Sequence, residues 1–127
     1  MHKEIIIISI ILILVFGLDF ITNRYVKISV SIMIDKLEVL EETILNNESD
    51  IIENKIKEAK NIWQNKYNVL AYYIEHDELE KVSLKLASIH GNVEGDELGN
   101  AVGDINEGIF LLRHIQEKEK FDFRSIF

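Results

Sequence analysis

The sequence predicts an all-α protein in which an N-terminal transmembrane helix continues into a small antiparallel bundle of three or four helices. Three observations support this fold class. Residues 5–21 form a nearly continuous apolar run, apolar residues beyond it recur at three- and four-residue spacing, and proline is absent from all 127 residues. We divide the chain into an anchor, residues 1–25, and an acidic helical domain, residues 26–127.

The apolar run IIIISIILILVFGLDFI contains 14 strongly apolar residues among 17, and it predicts membrane insertion. At about −0.4 kcal/mol each, these residues favour insertion by about 6 kcal/mol, whereas Asp19 opposes it by at most ~3 kcal/mol. Residues 5–21 would then contact membrane lipid directly. The alternative is a cleaved secretory signal. Residues 17–25 contain no convincing small-x-small cleavage site, because Phe20, Ile21, Asn23 and Arg24 are bulky, so we favour an uncleaved anchor.

The charges on the two sides of the run are nearly balanced. On the N-terminal side, Glu4 partly offsets the α-amino group and Lys3, and Arg24 and Lys27 follow the run. Basic residues favour the cytoplasmic side of a membrane, but short N-terminal tails commonly stay inside. We predict a single-pass protein of the cell membrane with a cytoplasmic N-terminus and an extracytoplasmic acidic domain.

Beyond the anchor, the apolar spacing predicts four helices and a C-terminal tail. The predicted helices span residues 26–46, 50–75, 78–90 and 97–116. The first carries an apolar seam with a 3.5-residue period, which is typical of a coiled coil. The seam consists of Val26, Val30, Met33, Leu37, Leu40 and Ile44. The expected core residues of the second helix are Ile52, Ile56, Ala59, Trp63, Leu70 and either Tyr73 or Ile74.

Glycine leaves two alternatives for the start of the last helix. Gly99, Gly103 and Gly108 inside it would cost about 3 kcal/mol relative to alanine. Either packing overrides this cost, or the helix begins later than its apolar stripe. Gly95, Gly99 and Gly103 also recur every four residues, which indicates the close approach of a neighbouring helix.

The net charge of −8 and the absence of cysteine exclude several classes of function. An acidic surface repels phosphate backbones, so we expect no nucleic-acid partner. Without cysteine there is no thiolate nucleophile and no Cys-ligated zinc. No glutamate stands three positions before a histidine, as bundle metal sites require, and no serine lies in a recognisable catalytic context. We therefore expect no enzymatic activity and no metal or other cofactor.

The candidates for partner contacts come from the aromatic helix, the turn after it and the C-terminal region. They are Trp63, Tyr67, Tyr73, His76, Asp77, His114, Phe121 and Phe127. Each has a structural alternative, since aromatic residues at helical spacing pack in cores and histidines near turns serve as caps or surface hydrogen-bonding groups.

Several short motifs accompany this organisation. They are Trp63 in the second helix, HDEL at residues 76–79, EKEKF at residues 117–121 and the ending IF at residues 126–127. On these motifs the sequence resembles a bacterial family of short membrane-anchored helical proteins, known as a domain of unknown function (number 4363). The resemblance covers essentially the whole chain. It implies a membrane-facing helical domain without a recognised activity and a multi-pass membrane protein as partner.

Two hypotheses about function follow. The first is a non-enzymatic, membrane-anchored interaction module that binds a membrane protein or a second copy of itself. The alternative is an extracytoplasmic sensor or small-ligand-binding domain that uses the aromatic residues between Trp63 and Tyr73.

Overall fold

A computed structural model describes the backbone of residues 2–126 and the side chains of residues 2–118. This part of the chain contains four α-helices and no strand. The helices are α1 (His2–Leu45), α2 (Ser49–Leu70), α3 (His76–Glu94) and α4 (Leu98–Ile126). The predicted all-α fold, with a long apolar first helix that continues into a bundle, is confirmed.

The helices run alternately up and down and form a four-helix bundle. Each helix packs against two neighbours, in the ring order α1, α2, α3, α4 and back to α1. Two contacts show that α1 and α2 are antiparallel, since Lys36 pairs with Glu58 while the earlier residue Tyr25 contacts the later residue Lys66. Short turns between sequential neighbours are typical of this bundle topology.

The core follows the apolar stripes of the four helices. All six seam residues of α1 are buried. The other helices contribute Ile52, Ile56, Ala59, Trp63, Leu70, Leu79, Val82, Leu86, Ile89, Ala101, Ile105, Ile109, Leu112 and Ile115. Residues spaced three and four apart lie on one side of a helix, so the buried side chains of each helix face the core together.

The bundle has two distinct ends. We call the end at which α1 enters the bundle the near end and the opposite end the far end. Val26 at the near end is the first buried residue along α1. The turn between α2 and α3, residues 71–75, also lies at the near end. Lys118 on α4 pairs with Glu75 of this turn, so α4 returns to the near end and then continues to Ile126. The turns 46–48 and 95–97 lie at the far end.

The N-terminal part of α1 makes no contribution to the core. Residues 2–21 are exposed without exception. By length and composition, this part of α1 is suited to be a membrane anchor or a signal sequence. The helix is continuous from this segment into the bundle.

The second helix is shorter than the sequence predicts. It ends at Leu70 rather than at residue 75. The backbone N–H groups of Tyr72 and Tyr73 donate to the carbonyls three residues before them, those of Val69 and Leu70, so the chain tightens into a turn. The turn buries Ile74 and leaves Tyr73 47% exposed, which decides between the two alternatives. It also lets α3 begin at His76, two residues before its predicted start.

The third and fourth helices are longer than predicted. α3 continues through Gly91 to Glu94 instead of ending at residue 90, and the left-handed residue Asp96 (φ 58°) makes the turn. α4 begins at Leu98, before Gly103, and extends to Ile126, whereas the sequence predicts an end at residue 116 and a tail. Packing of buried α4 residues such as Ala101 and Ile105 thus offsets the cost of the glycines.

The glycines that recur every four residues, at positions 95, 99 and 103, do not mark the close approach of a neighbouring helix that the sequence predicts. A Cβ atom on Gly99 or Gly103 would meet nothing within 4 Å. At Gly108, in contrast, a Cβ would lie 3.3 Å from Cδ1 of Leu37 on α1. The close approach between α4 and α1 is therefore at Gly108.

Candidate interaction surface

An apolar groove of about 690 Å³ runs along the outer surface between α3 and α4. Its lining comprises Lys81, Leu84, Lys85, Ser88, Asn106, Glu107, Phe110 and Leu111. Leu84 is 63% exposed and Phe110 is 70% exposed, although both are large apolar side chains. We call these eight residues the α3–α4 groove.

Both exposed side chains lie off the apolar stripes that build the core. The buried residues of α3 are Leu79, Val82, Leu86 and Ile89. Because successive residues of a helix are rotated by about 100°, Leu84 lies on the opposite face of α3 from these four. Phe110 likewise follows the buried Ile109 and faces away from the core of α4. The groove is therefore an addition to the bundle rather than a part of its packing.

Two of the charged residues that line the groove, Lys85 and Glu107, are paired with each other. Lys85 forms ion pairs with Glu107 and with Asp104, which also accepts hydrogen bonds from Ser88 and Asn92. The hydrogen bond to Glu107, followed by the nearby negative charges, raises the pKa of Lys85. These pairs join α3 to α4. The apolar side chains of Leu84 and Phe110 remain exposed to water, so their burial by a partner would be the most favourable contact at this surface.

Three of the predicted contact residues meet between α2 and α3. Trp63 is 3% exposed, and its indole N–H donates to Ser83 Oγ at 2.8 Å. Its ring packs edge-on against Tyr67, with 6.1 Å between ring centres. The Tyr67 hydroxyl lies 3.2 Å from His76 Nδ1 and donates to Glu80 at 3.2 Å. Partial burial, and then the hydrogen bond to Glu80, raise the pKa of Tyr67.

The other predicted contact residues are dispersed. Tyr73 is in the near-end turn, Asp77 is exposed in the first turn of α3, and His114 on α4 lies 3.8 Å from Glu78. The Phe121 side chain and Phe127 lie outside the described residues. A shallow groove of about 360 Å³ follows Trp63 and Tyr67, but the polar atoms of both side chains are already bonded within the protein.

The sequence matches one family model. Residues 20–126 match the model described as Domain of unknown function (DUF4363). The chain belongs to the DUF4363 family. This confirms the family that the motifs indicated. No curated protein and no solved structure matches the chain. The DUF4363 match covers the bundle and the end of the apolar run, and it leaves out residues 1–19.

The DUF4363 bundle also contains one cluster of potential metal ligands among the residues whose side chains are described. Ligand atoms of Glu53, His90 and Glu94 all lie within 4.8 Å of one another. His90 Nε2 is 2.9 Å from Glu53 and 3.0 Å from Glu94, while Lys60 Nζ is 3.1 Å from His90 Nδ1. The ammonium only donates, so Nδ1 accepts and Nε2 carries the proton that it shares with the carboxylates.

This arrangement does not fit a metal ion. A histidine ligand binds metal through an unprotonated nitrogen and donates its other N–H to an acceptor, whereas Lys60 places a cation at that position. The cluster instead links α2 to α3 by charge-assisted hydrogen bonds. The sequence signal for the α3 part of this cluster is a glutamate four residues after a histidine, a spacing different from that of bundle metal sites.

Proposed function

We propose that the protein is a non-enzymatic, membrane-anchored interaction module. In this proposal, residues 5–21 span the membrane and the α3–α4 groove binds an apolar helix of a membrane protein. The exposure of Leu84 and Phe110 on one groove carries the proposal. Large exposed apolar side chains that are grouped in a groove are typical of protein interaction sites.

The exposed half of α1 supports the anchor. Seventeen residues rise by roughly 25 Å, and continuation of the helix through Val26 extends it past the hydrocarbon core of about 30 Å. A helix that is apolar on all sides needs a lipid or protein environment. In our proposal the N-terminus is cytoplasmic and the bundle is extracytoplasmic.

Labelling of a single cysteine tests this orientation, because the chain has no cysteine of its own. Leu45 is 63% exposed at the far end, so a Leu45→Cys variant presents a thiol without disturbing the core. We expect a membrane-impermeant thiol reagent to label it in intact cells. Labelling only after lysis would contradict the proposed orientation, and recovery in the soluble fraction would contradict the anchor.

Photo-crosslinking from the groove tests the partner site. A photo-reactive amino acid at Leu84 is expected to form a crosslink in cell membranes, and Phe110→Ala in the same chain is expected to weaken it. The matched control is Val39 on α1, an apolar residue that is 41% exposed on another face. The mass of the product separates a second copy of this chain from a different membrane protein. Equal crosslinking at both positions, or none, would contradict a binding role for the groove.

A further inference from the structure

We infer that the near-end turn is a lipid-binding surface, with Tyr72 and Tyr73 in the headgroup region of the bilayer that α1 enters. The inference rests on the proposed function, because it requires residues 5–21 to be in the membrane. It assigns the bundle a second contact with lipid, separate from the anchor.

The first step is the continuity of α1. The helix runs from His2 to Leu45 without a break, and residues 18–26, where it leaves the apolar run, contain neither glycine nor proline. A helix rises by about 1.5 Å per residue, and sharp kinks occur mainly at proline or at glycine and serine pairs, which residues 18–26 lack. The height of every bundle residue above the membrane is therefore set by the level at which it lies beside α1.

The second step places the turn by its level. Glu58 on α2 pairs with Lys36 on α1, and the two helices are antiparallel. Twelve residues later Leu70, the last residue of α2, is level with residue 24, and the turn that follows it lies beside the end of the apolar run. The Lys66 ammonium, 5.3 Å from the centre of the Tyr25 ring, gives the same result within about one helical turn.

The third step is the exposure of the two tyrosines. Tyr72 is 85% exposed and Tyr73 is 47% exposed, while the neighbouring Leu70 and Ile74 are buried. The turn thus faces its two aromatic side chains outward at the level of the anchor's end. Tyrosine and tryptophan are enriched at this level of membrane proteins, because the ring enters the apolar boundary while the hydroxyl stays among the headgroups.

The charges favour an uncharged lipid surface over an anionic one. The chain has a net charge of −8. The turn itself contains the exposed Glu75, which pairs with Lys118, and it is followed by Asp77 and Glu78. Arg24 and Lys27 on α1 offset only part of this charge. We therefore assign the contact to zwitterionic phosphatidylcholine through the aromatic rings, with no requirement for acidic lipid.

Spin-label accessibility in pure phosphatidylcholine vesicles tests the inference with the full chain. A single label at Ala71, an exposed residue of the turn, leaves both tyrosines in place. Labels at Leu14 in the apolar run and Leu45 at the far end are the controls. We expect the Ala71 label to be relaxed by oxygen and shielded from a water-soluble nickel chelate several-fold more than the Leu45 label.

The outcomes separate the inference from the proposed function. A lipid-exposed label at Leu14 with a label at Ala71 as water-accessible as that at Leu45 would overturn the inference and retain the anchor. A water-accessible label at Leu14 would overturn both.

A variant with serine at both positions, Tyr72→Ser with Tyr73→Ser, tests the role of the rings. We expect it to return the Ala71 label to the accessibility of the Leu45 label, while the Leu14 label is unchanged. Persistent shielding of Ala71 in this variant would overturn the role of the tyrosines. Helical circular dichroism equal to that of the parent shows that the bundle remains folded, since both side chains are exposed.

Discussion

The two halves of α1 share one secondary structure and have opposite burial. Residues 2–21 are exposed on all sides although most are apolar, whereas the seam of residues 26–44 is buried in the bundle. In the first half apolar residues surround the helix, and in the second half they recur every 3.5 residues between charged ones. The arrangement of apolar residues, rather than their number, decides which half packs against other helices.

Truncation of the seam should have the largest effect on bundle stability. Leu37 is 1% exposed and packs at the close approach to Gly108. Leu37→Ala should lower the free energy of unfolding by about 2–5 kcal/mol, since it removes buried methyl groups and leaves a cavity. The matched change Ile13→Ala, at a residue 70% exposed, should leave it unchanged. Denaturant unfolding in detergent micelles measures both, and equal losses would remove the distinction between the halves.

A charge in the first half should have the converse effect. Ile11→Lys should make membrane insertion less favourable by about 3 kcal/mol, because it places an ammonium near the middle of the apolar run. The bundle should unfold at the same denaturant concentration as the parent. Carbonate extraction of membranes measures the fraction that remains inserted. Full retention of the variant would show that residues outside the run also support insertion.

Two glycines of α4 should respond differently to alanine, depending on their distance from the seam. Gly103→Ala should stabilise the protein by roughly 0.5–1 kcal/mol, because a Cβ there meets nothing and alanine favours the helix. Gly108→Ala places a Cβ 3.3 Å from Leu37 Cδ1, so crowding should offset that gain. Thermal unfolding of both variants is the measurement. A larger gain at Gly108 would mean that Leu37 moves freely.

The ion pair between Lys36 and Glu58 should have the smallest effect. The hydrogen bond from Lys36, and then its charge, lower the pKa of Glu58 below 4.5. The pair therefore stabilises the fold above pH 4.5, and this contribution is lost as the pH falls through the lowered pKa. Both side chains are about one-third or more exposed, so the contribution is less than about 1 kcal/mol.

A pH series of unfolding curves tests this pair. Lys36→Met should lower the stability at pH 7 slightly and should remove part of the loss on acidification. If the parent and the variant lose the same free energy of unfolding on acidification, other carboxylates account for that loss.

The helical periodicity of the sequence was sufficient to predict most of the core residues. The six seam residues of α1 and the expected core residues Ile52, Ile56, Ala59, Trp63 and Leu70 of α2 are buried as predicted, because one face of a helix is fixed by its 3.6-residue repeat. The helix ends were less predictable. The stop at Leu70 depends on how Ile74 reaches the core, and the continuation through Gly91 depends on neighbouring helices, so neither follows from local propensity.

The candidate interaction surface could be predicted only in part. Trp63, Tyr67 and His76 do meet, since helical spacing places the first two on one face and the turn brings the third back. Leu84 and Phe110 were missed, although each is a large apolar residue off its stripe, which is a signal that the sequence contains. That they share one groove depends on the register of α3 against α4, which the spacing within each helix does not specify.

The continuity of α1 has a consequence for the direction in which the groove faces. Because one helix passes from the apolar segment into the bundle, any rotation of the segment about its own axis turns the whole bundle by the same angle. Neighbouring residues on a helix point about 100° apart. If a partner protein bound the apolar segment on a face shifted by one residue, the bundle would be rotated by about 100° around the axis of α1. Leu84 and Phe110 would then face a different direction, about a quarter of a full turn away.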